Sequence, residues 1–438
     1  MTSHQKKIIL GIIIFIGVFI VLTILLKKPS SKATTLEMWG LYDPPLVMNS
    51  LIDSFNKTNP NIAIHYTQKD PNTYYNDLIN SFANNKAPDI FFLFGNWIPA
   101  FQNKIASLDL NQDKTLSLRL INDTYPQIVQ DDLVYNNTLL GIPMSIDTLA
   151  LYYNKDIFNY YNIPQPPQTW QDILNFIPLL RKTNAQGQIT RAAIALGSSS
   201  NINWSTDILS ELMMQLGSPM VDTQNLLVQF NRSLPNNSQF VPGIEALKAY
   251  SQFANPKSKY YTWGENFPNA INAFSQGQTV MFIGYHLSDQ SISAQSPSLN
   301  YGVTNFPIFN IISNPTKVNF GRTMNFVVSQ RSNSKDAAWQ FLKYLGSKEA
   351  SLYYFNQTKN PPSRRDLIPL AMNDEKVGVF ASQILTSKNW YQFDFQQIHS
   401  LFNKMINDVI LGNIQPEQAI NTAASGIELG WQQQTKNQ

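Results

Sequence analysis

The stretch GIPMSIDTLALYYNKDIF, residues 141–158, sets Ser145 and Asp147 inside a run that is otherwise apolar, just before two tyrosines and an Asn-Lys-Asp that reads as a helix start. A carboxylate at that point needs a purpose. From the residues alone it caps backbone or pairs with a cation such as Arg322. Aromatic side chains are the second conspicuous resource: 8 Trp, 19 Tyr and 26 Phe make 12% of the chain. Most of them belong to cores. The informative minority sits at strand ends and turns, where an element cannot bury its own ring. Trp39 and Tyr42 follow a first strand, Phe94 and Trp97 follow PDIFF, Trp204 lies in a Ser/Asn-rich loop, and Tyr285 and His286 follow MFIG. A cleft lined by such groups offers flat apolar platforms beside hydrogen-bonding tips, which suits a sugar with its C–H face and its hydroxyls.

Other chemistries have no support in the sequence. There is no glycine-rich dinucleotide fingerprint, no G-x-x-x-x-G-K-[ST] loop and no G-x-S-x-G elbow. Cysteine is absent, which removes disulfides, thiolate nucleophiles and lipid-modified cysteine anchors. The four histidines, His4, His65, His286 and His399, show no i, i+4 pair, so no metal site is expected. No cofactor is expected either, and no spacing singles out an acid pair among 29 acidic residues.

Five lysines precede residue 34 with no acid among them, and removing their charge from the formal +3 leaves the remainder at −2. That balance argues against nucleic acid as a partner. Residues 8–26, IILGIIIFIGVFIVLTILL, carry no charge and as a helix are long enough to span a bilayer. They read as a transmembrane anchor, with cleavage near Ser31-Lys32-Ala33 as the alternative. KKPSSKATT, residues 27–35, is a polar linker behind it.

The elements that must position these groups alternate. LEMWG and NIAIHY read as strands, LVMNSLIDSF and YYNDLINSF as helices, and APDIFFLF as a strand buried on both faces. This pattern predicts parallel βαβ units, with ligands at strand carboxyl ends. PPQTWQDILNFIPLLRK opens a helix capped by Thr169 and Asp172, and TDILSELMMQLG and GIEALKAYSQFA read as amphipathic helices. At 438 residues the chain holds two domains rather than one core.

GIPMSIDTLALYYNKDIF with PPQTWQDI closely resembles the hallmark of family 1 extracellular solute-binding proteins, the sugar-binding components of ABC importers. APDIFFLF, FSQGQTVMFIGYH, YGVTNFPIF and FGRTMNFVVSQRSNSKDAAWQFLKYLGSKEA resemble later blocks in the same order, so the likeness spans about residues 36–430. It implies an α/β, two-lobed, periplasmic-binding-protein-like fold of type II behind the transmembrane helix. The lobes are expected as 36–146 with 322–345 and 147–321 with 346–438. Solute is caught between them, with Ser145 and Asp147 facing the cleft and Asp147 set against solute hydroxyls. The resemblance further implies contacts from Trp39, Tyr42 and Asp43, from Asn96 and Trp97, from Trp204 and Tyr285, and from one of Phe395 or His399; Phe94, His286 and Arg322 complete the set of candidate ligand-binding residues. Asn96 and Trp97 replace a charged pair carried by maltose-binding members, which argues against maltodextrin. The implied partner is an ABC permease, and the implied form is a monomer whose body lies outside the cell. Two readings compete with import: a tethered sensor or adhesion module, and a surface glycosidase.

Overall fold

The computed structural model describes residues 33–310 and 317–436. The apolar segment 8–26 lies outside the described residues, and among them no helix is long and apolar enough to cross a membrane.

The first strands form as the alternation predicts. Thr34–Gly40 pairs in parallel with Ile62–Gln68 and with Ile90–Phe94, and the helices Pro45–Asn56 and Tyr74–Ala83 make the crossovers. Every residue of Ile90–Phe94 is buried, as a strand covered on both faces requires. A long strand, Asn319–Val328, then joins this sheet from far along the chain. It runs antiparallel both to Ile90–Phe94 and to Gly141–Thr148, and all ten of its residues are buried.

A second sheet holds Ala150–Asn154, Thr279–Gly284, Ile189–Ala195 and Tyr301–Asn305. Here the expectation of parallel units holds only for Ile189–Ala195 beside Thr279–Gly284. Ala150–Asn154 is antiparallel to both its neighbours. The chain enters that strand straight from Gly141–Thr148, with one residue between and no helix to turn it round.

Each sheet has its own core. One gathers Leu36, Met38, Leu51, Phe92, Ile146 and Phe326; the other gathers Leu151, Ile173, Met213, Tyr250, Phe282 and Phe402. The two lobes are joined where Gly141–Thr148 passes into Ala150–Asn154, where Asn319–Val328 returns, and again before Trp390. The assignment of 346–438 to the second lobe needs correction. Ala350, Tyr354, Phe355, Ile368, Ala371 and Ile384 pack in the first core, with Phe380 reaching across into the second, and from about Trp390 the chain packs in the second. Helix Lys348–Thr358 is drawn back by a buried bond, Tyr354 Oη to Asp43 Oδ1 at 2.5 Å.

Local signals were strong where a cap defines the element. Helix Trp170–Leu180 starts at a capping box: Thr169 Oγ1 accepts the Asp172 amide at 3.1 Å, and Asp172 Oδ2 accepts the Thr169 amide at 2.9 Å. Helix Ser205–Gln215 is different from its expected amphipathic form, because every residue in it is buried. Replacing Thr169 by Ala should cost about 1 kcal/mol of stability, the usual worth of an N-cap, read as a lowered midpoint in urea with an unchanged slope.

Candidate functional site

The groups of interest meet where the two lobes join. Strand alternation puts Arg322 and its cross-strand neighbour Asp147 on one face of the crossing pair. Arg322 is buried, and its guanidinium carbon lies 4.8 Å from the ring centroid of Trp204, 5.2 Å from Tyr285, 5.3 Å from Phe94 and 5.7 Å from Phe395. Phe94 comes from the first core and Tyr285 from the second, so the cation sits between lobes. Trp204 and Tyr285 are perpendicular to each other at 5.1 Å, which lets each present a different surface to the charge.

The ion pair of Arg322 is with Asp207, not with Asp147: its Nη2 lies 2.7 Å from Asp207 Oδ2, and Tyr285 Oη donates to the same oxygen at 2.6 Å. Burial works to lower the guanidinium's pKa, but Asp207 together with the Tyr285 and Tyr42 hydroxyls outweighs it and raises it, so the group stays charged. Burial, then Asp207, push the Tyr285 hydroxyl well above its ordinary value, which keeps it a donor. Arg322 Nε and Asp207 Oδ1 are buried without partners. Asp207 stands in the first turn of Ser205–Gln215, where the helix's positive end favours a carboxylate. Sequence reading passed over it. The available signal was the pair Asp207 and Glu211, two acids one turn apart and the helix's only charged residues. Glu211 is also fully buried and accepts the Phe320 amide at 3.0 Å, which ties that helix to the returning strand.

Asp147 is occupied by backbone. Its Oδ1 accepts the amides of His286 and Thr148, both at 2.9 Å, and its Oδ2 accepts that of Leu287 at 3.1 Å. It thereby fixes the turn that carries Tyr285. Ser145 is fully buried and donates to Met324 Sδ. Burial raises the Asp147 pKa to about 7 against those three bonds and the charge of Arg322.

The remaining positions divide. Tyr42 lies against Phe92 and Phe94 at 6.2 and 6.0 Å, and the Arg322 charge acts on its hydroxyl. Phe395 stacks on His399 at 5.7 Å and touches Trp97 at 5.9 Å, and His399 Nδ1 bonds Thr206 Oγ1 at 2.9 Å, so both carboxy-terminal candidates join the group. Trp97 otherwise packs on Tyr74, Tyr75 and Phe94. Asn96 Nδ2 donates to Gln392 Oε1 at 3.3 Å. The His286 ring is buried edge-on to Phe380, and its amide, not its ring, meets Asp147. Two candidates stand apart from this group. Trp39 is not among the rings around Arg322, because strand alternation turns it to the face where Lys69 Nζ lies 4.2 Å from its centroid. Asp43 is 1% exposed and bonded to Tyr354, within the first lobe's core rather than facing a cleft.

Burial raises the Asp43 pKa to about 6 from 3.8, outweighing the Tyr354 bond. The folded chain therefore holds a proton that the unfolded chain releases, and this contribution, complete below about pH 4, is lost as pH rises through 6. His286 and His399 are held low by burial and work in the opposite sense, so the comparison must be made against a variant. Chemical denaturation from pH 4 to 7.5 should show Asp43→Asn gaining on the wild type by roughly 3 kcal/mol at most, at about 1.4 kcal/mol per pKa unit.

Known proteins share this architecture. The chain is 20% identical to the galactooligosaccharide-binding protein of Bacillus subtilis, across 91% of this chain and 89% of that one. It superposes on an ABC transporter solute-binding protein from Thermotoga lettingae bound with alpha-D-tagatose with a TM-score of 0.70, at 22% identity over 90% of this chain and 99% of the other. An ABC substrate-binding protein from Listeria monocytogenes in complex with cycloalternan gives 0.71, at 18% identity over 91% and 99%. These likenesses establish the two-lobed α/β solute-binding fold. Residues 43–351 match the family model for bacterial extracellular solute-binding protein. The chain belongs to that family, and it is a binding protein and not an enzyme.

Proposed function

We propose that this protein is the carbohydrate-capturing component of an ABC importer, anchored by residues 8–26 with its body outside the cell and acting as a monomer. The observation that carries the reading is the set of four rings, from both lobes, around one buried guanidinium. The relatives support it: one is named for galactooligosaccharides, and solved neighbours are bound to tagatose and cycloalternan.

In this reading the lobes part by bending at the three crossings, and the rings separate with them. Trp204, Tyr285 and Phe395 then offer stacking faces for pyranose C–H surfaces, while Phe94 and Tyr42 close over the other side. Arg322 and Asp207 supply a donor and an acceptor to hydroxyls through Nε and Oδ1, the atoms left without partners. Closure follows only if the solute binds the closed form better than the open one, and a permease would read the closed outline. Asp147 acts as a positioning residue, since it holds the turn that carries Tyr285.

Thermal shift and calorimetry of the full chain against a panel of mono- and oligosaccharides tests this. At least one sugar should raise the melting temperature, with about 2.7 kcal/mol of stabilisation at a hundredfold excess over Kd; a panel without any shift would end the proposal. In the unliganded protein Arg322→Ala should cost about 3 to 5 kcal/mol, because it strands the buried Asp207 carboxylate. Arg322→Ala with Asp207→Ala should cost clearly less than the two single losses added together.

A further inference from the structure

A cavity of about 470 Å³ opens between the lobes, lined from the first by Gly95, Asn96 and Asp132 and from the second by Val221, Thr223 and Gln392. It is separate from the ring cluster. Thr323 follows Arg322 along the crossing strand and so points to the opposite face, where its Oγ1 donates to Asp132 Oδ2 at 2.5 Å. Asn389 Nδ2 donates to the other Asp132 oxygen at 2.8 Å. Gly95 makes room for this arrangement, since a Cβ there would run into both Asp132 and Thr323.

Two side chains on the wall are left half-satisfied. Asn96 is 3% exposed and Gln392 0%, and they share a single bond of 3.3 Å. Asn96 Oδ1 and Gln392 Nε2 are buried with no partner. Stranding a buried amide atom is unfavourable, and a slight turn of either side chain toward an occupant would give it a bond. One free atom is an acceptor and the other a donor, which matches a hydroxyl, able to donate and accept at once. An ammonium would meet the Gln392 amide N–H with donor against donor. No Lys, Arg or His lines the space, and Asp131 and Asp132 do, so an anion is disfavoured. Tyr135 and Tyr391 at the margin add flat apolar surface.

We infer that this cavity is a second binding site, for a neutral polyhydroxylated molecule of about monosaccharide to disaccharide size, distinct from the solute site at Arg322. The inference does not depend on the transport role. Saturation-transfer difference NMR on the full chain, with glucose, sorbitol and trehalose as probes, decides it. Three variants are compared with wild type: Phe395→Ala breaks the ring cluster, Thr223→Trp fills the cavity mouth from an exposed position that folding tolerates, and Gln392→Leu removes the wall's free donor. At least one probe should give a signal that survives Phe395→Ala and falls fivefold or more in Thr223→Trp, with Gln392→Leu following wherever its melting curve matches wild type. If no signal survives Phe395→Ala, or if the surviving signal is unchanged by Thr223→Trp, the second site does not exist. Failure of the transport reading would instead appear as a sugar panel whose melting shifts are all unchanged in Phe395→Ala and lost in Thr223→Trp, since a sugar held only in the cavity also raises the melting temperature.

Discussion

A positive charge held out of water between two lobes organises this molecule. Taking a guanidinium and a carboxylate into a protein interior costs several kcal/mol per ion, and attraction repays that only with good geometry and further bonds. Arg322 has both: the 2.7 Å contact to Asp207, which also accepts the Tyr285 hydroxyl, and four rings with centroids 4.8 to 5.7 Å from the guanidinium carbon. The strand that bears Arg322 runs through the first lobe's sheet, and the helix that bears Asp207 packs in the second lobe's core. A contact of this kind fixes how the lobes meet far more narrowly than apolar surface alone would, since apolar surface tolerates sliding and a buried pair does not.

Supporting interactions converge on the same place. Asp147 holds the turn after Thr279–Gly284 through two amides, and Glu211 holds the amide of Phe320 two residues before Arg322. Gln383 Nε2 donates to Thr148 Oγ1 and to the carbonyl of Leu149, so the last stretch of first-lobe helix grips the first crossing. Apart from the bond to Thr148 Oγ1, each of these is a side chain bonding to main chain at or beside a crossing. That is an economical way to keep an extended connection ordered where no helix or sheet partner is available on both sides.

The sequence made much of this legible, for reasons that differ by residue. Thr169 with Asp172, and the apolar run Ile90–Phe94, are local patterns, and local patterns decide local structure. Asp147 stood out because a carboxylate in an apolar strand must have partners, and it has them, although they are amides of a distant turn. Trp39 misled because a ring at a strand end can face either side, and a shift of one residue reverses the choice. Asp43 misled because a loop acid beside two prolines gives no hint of a tyrosine, Tyr354, arriving from more than three hundred positions away. Asp207 was missed for a related reason. Its partner Arg322 is also distant in sequence, though by fewer positions, and only the fold brings them together.

The interleaving of the chain also bears on how the molecule is made. The first lobe's sheet is incomplete without Asn319–Val328, and its core without residues as late as Ile384. A chain emerging in order from the ribosome or through a membrane pore therefore displays Leu36, Phe92 and their neighbours for the whole time that the second lobe is being produced. That lobe in turn waits for Phe402 and Trp431. Neither half can settle early, so nascent molecules carry exposed apolar surface until nearly the last residue has appeared, a long interval in which binding by a holding chaperone would decide the yield.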